Sequence, residues 1–362
     1  MIKKRLTKFQ AWMKKENLDA FILSRHASIR YLSGFTGGSH ISPDALLVVI
    51  PKKGMLLTDS RYWEQASKDL KGIKLVKVKG QAVTGLESLK ELSGKNTRIG
   101  FEGEYVSFTT YEQMRKLLPE ALFVSATRAV EEFSAVKDKD ELKAIEKAAE
   151  IADIAFGRIL GYVKPGLREI EVAAELEYQM KMLGSVQPAF ETIVASGWRS
   201  ALPHGIASNK KIAKGEFVTF DFGAIWDGYC CDITRTVVIG KANAKQKKIY
   251  NIVLKAQKAG IRKIISGVEA VKVDEAARKI IDKAGYGNNF GHGLGHGIGL
   301  YIHSAPGLGP KSKDTLKRGM VVTVEPGIYL PKWGGVRIED DVVVTTRGGR
   351  ILNSSPKNLL EL

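Results

Sequence analysis

The sequence predicts an α/β domain followed by an α+β domain that contains an internal repeat. Three observations lead to this fold class: helix-like and strand-like segments alternate over residues 1–125, the periodicity is lost near residues 125–137, and one segment of the second half occurs twice. We place the first domain at residues 1–130 and the second at residues 136–362. With 362 residues, 44% of them hydrophobic, the chain is long enough for two hydrophobic cores.

The first domain opens with a helix-like segment. Ile2, Leu6, Phe9 and Met13 recur at helical spacing, and lysines interrupt every apolar run, which indicates an amphipathic surface helix rather than a signal peptide. The longest apolar run, ALLVVI, is far too short to cross a membrane. Six segments are predicted to be strands: 20–23, 45–50, 54–57, 74–78, 98–101 and 122–124.

The second domain begins with a long helix, predicted from an N-cap at Asp138 or Asp140 and from apolar residues at helical spacing between Leu142 and Phe156. Two further segments, residues 164–184 and 266–285, resemble each other, and each is expected to form an acidic-capped helix that ends in glycine. Each half of the domain is thus predicted to contain two helices and a hairpin. Two such halves closing face to face would form one central site.

The repeat is the most informative feature of the second half. KGEFVTFDFG (residues 214–223) and RGMVVTVEPG (residues 318–327) align at an offset of 104 positions, which places Asp221 on Glu325. Each segment alternates with period two and continues through a turn into a second strand that carries another acid, Asp232 or Glu339. Two hairpins therefore direct four carboxylates inward. Four clustered carboxylates cannot all stay ionised without a cation among them.

A glycine-rich segment, GHGLGHGIGLYIH (residues 291–303), lies between the hairpins. Its alternating glycines argue against a helix, and one of its imidazoles could complete a set of five ligands. Oxygen ligands with a single nitrogen suit a pair of divalent ions such as Mn, Co, Zn or Fe. Two-metal centres of this type lower the pKa of a bound water and polarise a carbonyl, which is the chemistry of a hydrolase.

These motifs resemble the pita-bread metallopeptidases, specifically their aminopeptidase P and prolidase branch. The motifs run in the order DFG, YxxDITRT, HGLGHGIG, VEPGIY and GGVRIED, between Asp221 and Asp341. Near the N-terminus, HASIRYLSGFTG, with LLVVIP and LLTDSRYWEQA after it, is similar to the creatinase-type N-terminal domain. The resemblance covers nearly the whole chain and implies a pita-bread catalytic domain with a pseudo-twofold repeat.

The resemblance also implies a role for each site residue. The expected metal ligands are Asp221, Asp232, His296, Glu325 and Glu339, which would hold two divalent ions, Mn or Co with Zn or Fe as alternatives. The expected catalytic residues are Glu325 as proton shuttle, His292 and His303 at the developing oxyanion, and His204 against the substrate. Thr234, Arg337 and Tyr229 are expected to support the ligands; Thr234 shares a face with Asp232, and Arg337 shares one with Glu339.

Several alternatives stay open for individual residues. A plain ion pair between Arg337 and Glu339 is one, and Asp340 and Asp341 are expected at the surface or at a hairpin end. His26 and His40, in the first domain, are interpreted as structural or surface residues. Tyr301 and Ser304 stand where many relatives carry acids, which affects recognition of an amino terminus rather than metal binding.

The resemblance implies an enzyme of the aminopeptidase P type, which hydrolyses the bond between an N-terminal residue and proline. A prolidase, restricted to Xaa-Pro dipeptides, is the alternative. A methionine aminopeptidase would share all five ligands but normally lacks the first domain. A non-enzymatic relative that binds polyanions would have lost ligands, and a creatinase would use no metal, whereas all five ligand positions are intact here.

Charge and cysteine content bear on partners and location. The net charge is +17, and the lysines that cause it are scattered, without a recognised nucleic-acid motif, so we expect a peptide substrate and neither a nucleic acid nor a membrane. The two cysteines, Cys230 and Cys231, are adjacent, which disfavours a disulfide between them and indicates a cytoplasmic protein. Because Cys231 precedes Asp232, oxidation sensitivity is expected. We also expect a homodimer.

Overall fold

The computed structural model describes residues 2–38, 44–89, 92 and 94–362, so His40 lies outside the described residues. The chain divides into two compact units, Met1–Ser134 and Ala135–Leu362. Each unit has a hydrophobic core of its own. Among the described residues, every helix is too short or too polar to cross a membrane.

The first unit is an α/β fold built on one six-stranded sheet in the order β4-β3-β2-β1-β5-β6. Its strands are β1 (Ala20–Leu23), β2 (Ala45–Ile50), β3 (Lys53–Thr58), β4 (Lys74–Lys77), β5 (Arg98–Phe101) and β6 (Leu122–Ser125). Its helices are α1 (Ile2–Lys15), α2 (His26–Ser33), α3 (Trp63–Asp69), α4 (Phe108–Leu117) and α5 (Ala129–Ala135). All six predicted strands are confirmed, and α1 buries Leu6, Phe9 and Met13 as its spacing predicts.

The second unit contains four long helices and several small sheets within the described residues. The helices are α6 (Lys139–Ile159), α7 (Glu169–Met182), α8 (Ala244–Lys263) and α9 (Ala270–Lys283). The strands of its first half are β7 (Ile193–Ser196), β8 (Phe217–Phe222), β9 (Ile225–Trp226), β10 (Tyr229–Cys230) and β11 (Ile233–Val238). Those of its second half are β12 (Gly295–Gly297), β13 (Ser304–Leu308), β14 (Val321–Val324), β15 (Gly327–Leu330), β16 (Gly334–Arg337), β17 (Asp340–Val344) and β18 (Gly349–Ile351).

The predicted repeat is present as two equivalent strand units. In the first, β8 pairs with β11 and the small hairpin β9-β10 lies between them in sequence. In the second, β14 pairs with β17 and the hairpin β15-β16 lies between them. The turn of β9-β10 places Asp227 and Gly228 at positive φ, as a tight two-residue hairpin turn requires. Each repeat therefore consists of a strand, a small hairpin and a second strand that pairs with the first.

Helices cover the outer face of each half. Phe156 of α6 packs against Phe220 and Phe222 of β8, so these two rings point away from the face that carries Thr219 and Asp221. Residues of α8 and α9 pack in the same way against Val322 and Val324 of β14. In both repeats, this alternation directs the acidic residues away from the helices.

The helix boundaries agree with the prediction except at two N-caps. Asp138 caps α6 by accepting hydrogen bonds from the backbone N–H groups of Asp140 and Glu141. The N-caps of α7 and α9 are Arg168 and Glu269, and neither makes a carboxylate cap: Glu269 pairs with Lys272, whereas in α7 the Glu171 carboxylate accepts from the backbone N–H of Arg168 at 2.7 Å. Gly184 and Gly285 follow α7 and α9 at positive φ, as expected for helix ends.

The expectation that Asp340 and Asp341 lie at the surface is wrong. Both are completely buried, because β17 lies between β14 and β18 rather than at an edge. Asp340 pairs with Arg235 at 2.7 Å and also with Lys357. Arg235 is itself only 1% exposed, and its guanidinium also donates to the carbonyl oxygens of Thr234 and Glu339.

Candidate metal centre

Four carboxylates converge because the two repeats place them at comparable points of their strands. Asp221 lies in β8 and Asp232 immediately before β11, whereas Glu325 directly follows β14 and Glu339 lies between β16 and β17. All four line one cavity of about 850 Å³. The hairpins therefore direct the acids inward, as their alternation predicts.

His296 reaches this group from β12. Its Nε2 atom lies 3.4 Å from Glu325 Oε1 and 3.7 Å from Asp232 Oδ2. The glycines on either side make this approach possible, because a Cβ atom at Gly295 or Gly297 would clash with a backbone carbonyl of a neighbouring strand. The alternating glycines thus serve close backbone packing, and His296 is the histidine that this packing brings to the acids.

The residues fit a divalent metal ion. Ligand atoms of Asp232, His296 and Glu339 all lie within 4.8 Å of one another. One buried oxygen each of Asp221, Asp232 and Glu339 has no hydrogen-bond partner among the described residues. A buried acceptor without a partner is costly, and a cation would satisfy these oxygens. Carboxylates with a single imidazole are the ligands expected for such an ion.

Without a metal ion, the surroundings of these carboxyl groups and of His296 favour their uncharged forms. Burial raises the pKa of Asp232 and of Glu339 well above the ordinary values, and the neighbouring carboxylates raise both further. Burial likewise raises the pKa of Glu325 to about 8 and lowers that of His296 to about 4. His296 is therefore neutral at pH 7, as a metal-binding imidazole must be, and a metal ion would have to displace protons from the carboxyls.

Arg337 and Thr234 each bond to one of the four carboxylates, but not to the one expected. Arg337 donates through Nη2 to Asp221, not to Glu339, and through Nη1 to the hydroxyl of Tyr329 at 2.9 Å. Thr234 donates at 2.6 Å to Glu339 rather than to Asp232. The reason is that Asp232 precedes β11, so the alternation that would put it on the face of Thr234 does not extend to it.

The structure does not bring Tyr229 to the ligands. Its hydroxyl donates to Glu141 of α6 at 3.1 Å, and its ring packs with Ala144 and Ile145. Tyr229 belongs to the short hairpin β9-β10, which leaves the central region before Asp232 returns to it. Tyr229 therefore bonds to α6 and is not among the residues that line the cavity.

The two cysteines are buried free thiols. Burial raises the pKa of Cys230 to about 12 and that of Cys231 well above its ordinary value. Since the thiolate is the form that oxidants attack, the structure argues against the oxidation sensitivity expected from the position of Cys231 beside Asp232.

Three further histidines, His204, His292 and His303, line the same cavity. His292 forms a 2.9 Å hydrogen bond between Nε2 and the Tyr329 hydroxyl, and burial lowers its pKa to about 4. The ring of His303 lies 4.3 Å from the ring of His296, and burial lowers its pKa as well. His204 is exposed to the cavity, so it is free to meet a ligand there.

Sequence reasoning missed several residues of the cavity. Tyr329 receives a hydrogen bond from Arg337 and bonds with His292, so it connects these two residues of the cavity. Its place in the VEPGIY motif, two residues after Gly327 on β15, was the available signal, because Gly327 lies opposite Arg337. The other unexpected lining residues include Phe190, Ile193, Asn288, Asn289, Ile302 and Pro331.

Comparison with known proteins identifies both units. The family model described as metallopeptidase family M24 matches residues 143–346, and that of the Creatinase/Prolidase N-terminal domain matches residues 5–136. An Xaa-Pro dipeptidase of Pyrococcus furiosus is 39% identical, over 99% of this chain and 100% of the relative. Two solved structures are also similar: an Xaa-Pro dipeptidase from Bacillus anthracis (42% identity, TM-score 0.94, 100% of both chains) and an X-Pro aminopeptidase from Thermotoga maritima (36% identity, TM-score 0.89, 99% of both chains).

Proposed function

Because this chain belongs to metallopeptidase family M24, we propose that it is a metal-dependent Xaa-Pro dipeptidase. Full-length similarity to Xaa-Pro dipeptidases at 39–42% identity supports this proposal. The main expectation from the sequence is an aminopeptidase P, with a prolidase as the alternative. The proposal adopts that alternative. An enzyme of the aminopeptidase P type is the second candidate, since the Thermotoga maritima relative is an X-Pro aminopeptidase.

The convergence of four carboxylates and His296 on one cavity is the observation that carries the proposal. Asp221 and Asp232 would hold one divalent ion, His296 and Glu325 a second, and Glu339 would bridge them; Mn or Co is the proposed metal. Such ions supply a water of lowered pKa and polarise a carbonyl when bound. The orphaned oxygens of Asp221, Asp232 and Glu339 support this assignment of ligands.

The remaining groups of the cavity would act on the peptide. Glu325 would carry a proton towards the proline nitrogen, because its carboxyl lines the cavity in which the peptide would lie. His303 lies beside His296, so it can donate a hydrogen bond to a developing oxyanion. His292 would do so only by giving up a bond, because its ring nitrogens already bond to the Gly293 carbonyl oxygen and the Tyr329 hydroxyl. His204 would contact the substrate near the scissile bond.

We also propose a homodimer that functions in the cytoplasm. Free cysteines at two buried positions support a reducing compartment. Sedimentation equilibrium of the purified protein would test the dimer, because a monomer mass at all concentrations would contradict it.

The chain length of the substrate distinguishes the two candidates. With Mn²⁺ or Co²⁺ added, we expect Xaa-Pro dipeptides to be cleaved and Xaa-Pro-Yaa-Zaa tetrapeptides to be cleaved much more slowly. Comparable kcat/KM for both would indicate an aminopeptidase P. Cleavage of neither substrate would overturn the assignment to Xaa-Pro peptidases.

An Xaa-Ala dipeptide is the matched control for proline recognition. It lacks part of the ring, worth up to about 2 kcal/mol of apolar burial, and brings an N–H whose burial without a partner costs about 1–3 kcal/mol. We therefore expect kcat/KM to favour Pro over Ala by about 10²-fold or more. Equal rates, or a preference for Met at the first position, would move the assignment to a general or methionine aminopeptidase.

A further inference from the structure

The segment of residues 196–208, which we call the cavity loop, follows β7 and forms one wall of the cavity. It contributes Pro203, His204 and Ile206 to the lining. Its regular structure is limited to Ser196 at the end of β7, a short 3-10 turn at Gly197–Ala201 and one β-bridge between Ile206 and Ile193. Something outside the loop must therefore hold these three residues in place.

Glu169, the first residue of α7, binds both ends of this loop. Its Oε1 accepts hydrogen bonds from the backbone N–H of Ser196 at 2.7 Å and from the Ser196 hydroxyl at 2.8 Å. Its Oε2 accepts from Arg199 Nε at 2.9 Å, from the Ser208 hydroxyl at 2.6 Å and from the Ser208 backbone N–H at 3.1 Å. Glu169 is 0% exposed, so all five bonds are shielded from water.

One of these partners, Arg199, passes the constraint to the cavity, and Arg337 anchors the loop at a second point independently of Glu169. Arg199, fixed by Glu169, also donates through Nη2 to the carbonyl oxygen of Ile206 at 2.6 Å. The carbonyl oxygen of Pro203 accepts from Arg337 Nη1 at 3.2 Å. His204 lies between these two anchored residues, and its position depends on both.

We propose that Glu169 is a positioning residue that fixes the cavity loop and thereby places His204 against the peptide. This role rests on the proposed peptidase function. Glu169 does not line the cavity, so it acts through Ser196, Arg199 and Ser208 and not on the substrate. Every group that faces the Glu169 carboxylate is a hydrogen-bond donor. The role of this residue therefore requires two acceptor oxygens, and a side chain of the same size with only one would not fulfil it.

Glu169→Gln tests this directly, because it keeps the size of the side chain and turns an NH₂ group towards donors. Glu171→Gln is the matched control: Glu171 lies on the same turn of α7, is 38% exposed and pairs with Arg168. For the Xaa-Pro dipeptide we expect Glu169→Gln to lower kcat/KM about 10- to 100-fold, mainly through a higher KM, since a misplacement of about 1 Å can cost about 10²-fold. Metal content should equal that of the parent protein.

Trypsin cleavage after Arg199 gives a readout that does not depend on activity. The Arg199 side chain is 17% exposed and bound to Glu169 in the parent protein. We expect Glu169→Gln to be cut at this bond faster than the parent protein and Glu171→Gln, both with metal and after chelation, as measured by mass spectrometry. Equal resistance of all three proteins would overturn the proposal, as would a loss of activity that follows a loss of metal.

Ser208→Ala serves if Glu169→Gln does not fold. It removes one of the five donors and should change KM and Arg199 cleavage in the same direction by a smaller factor; no change in either would again overturn the role of Glu169. The two hypotheses fail separately. If the parent protein cleaves no Xaa-Pro peptide, the proposed function fails, while cleavage at Arg199 still decides whether Glu169 fixes the loop.

Discussion

At the scale of single residues, the main feature of the candidate metal centre is a set of buried carboxylate oxygens without hydrogen-bond donors. Asp232 and Glu339 each keep a buried oxygen without a hydrogen-bond donor among the described residues, although Thr234 and the backbone satisfy other atoms nearby. With a metal ion bound, each of these two residues would hold the ion in addition to its present hydrogen bond, which is to Asp341 for the backbone of Asp232 and to Thr234 for Glu339. Removing either should therefore damage the site as a whole.

Asp232→Ala and Glu339→Ala should each abolish hydrolysis of Xaa-Pro while the protein stays folded, because each removes a ligand. Metal content by atomic emission and secondary structure by circular dichroism would be measured on the same samples. Asp282→Ala, at an exposed position of α9, is the control and should keep full activity and metal. Full turnover of either ligand variant, or of the parent protein after chelation, would contradict the proposed centre.

His303→Ala should lower turnover by about 10²-fold without emptying the metal site, since losing one oxyanion donor costs about 2.7–4 kcal/mol. Its ring lies near that of His296 but is the more exposed of the two. Turnover and bound metal would be compared between the variant and the parent protein. If metal is lost in proportion to activity, His303 is a ligand and its assigned role is wrong.

At the scale of elements, the short hairpin β15-β16 connects the metal centre with the cavity loop. The backbone N–H of Gly335 donates to the Ser200 hydroxyl at 2.8 Å, and Arg337, two residues later, bonds to Asp221. A Cβ atom at Gly335 would clash with the carbonyl oxygen of Ser200. The glycine is therefore required where one segment of backbone passes directly over another.

Gly335→Ala should lower the free energy of unfolding by about 1–3 kcal/mol, because the added methyl group overpacks a rigid contact. Gly307→Ala in β13 is the matched control, since a Cβ atom there meets no described atom within 4 Å beyond its chain neighbours. Urea unfolding of both variants would be compared with the parent protein. Equal stability of the two variants would show that the Ser200 contact yields without cost.

The sequence predicts those features of the structure that depend on neighbouring residues in the chain, and it does not predict those that depend on contacts between distant segments. The strands, the repeat and the inward direction of Asp221 follow from period-two alternation, which is a property of neighbouring residues. The partners of Arg337 and Thr234, the burial of Asp340 and the remote position of Tyr229 depend instead on which strands become neighbours. Alternation within one strand cannot supply that order.

At the scale of the whole molecule, the catalytic unit concentrates carboxyl groups that a metal must hold ionised. Without metal, burial raises the pKa of Glu325 from the ordinary 4.5 to about 8, and burial and the neighbouring carboxylates also raise those of Asp232 and Glu339 well above their ordinary values. His292 and His296 have pKa values lowered to about 4 in the folded chain and an ordinary value of 6.5 in the unfolded chain, so both are largely neutral in both states above about pH 7.5. Between about pH 7.5 and 8.5 the raised carboxyls outnumber Lys137, whose pKa burial lowers to about 8 and which acts in the opposite direction.

The stability of the metal-free protein should fall as the pH rises from about 7.5 to about 8.5, through the pKa of about 8 of Glu325. In this range the folded chain binds more protons than the unfolded chain, whose carboxyls are already ionised. Metal binding requires ionised carboxyls, so the stabilisation by added Mn²⁺, about 2.7 kcal/mol at 100 times Kd, should grow with pH. Urea unfolding with chelator and with Mn²⁺ at both pH values measures this. A metal-free stability that is constant or rises with pH would contradict it.

Arg235 has a consequence for how the catalytic unit unfolds. Its buried guanidinium belongs to the first repeat, whereas Asp340 and the carbonyl oxygen of Glu339 belong to the second. If one repeat detached, this charge would be left in an apolar interior without its counter-ion. Partial opening is thereby penalised, and the two repeats are expected to unfold in a single cooperative transition. A fragment that ends before β17 would lack these acceptors and should not fold alone.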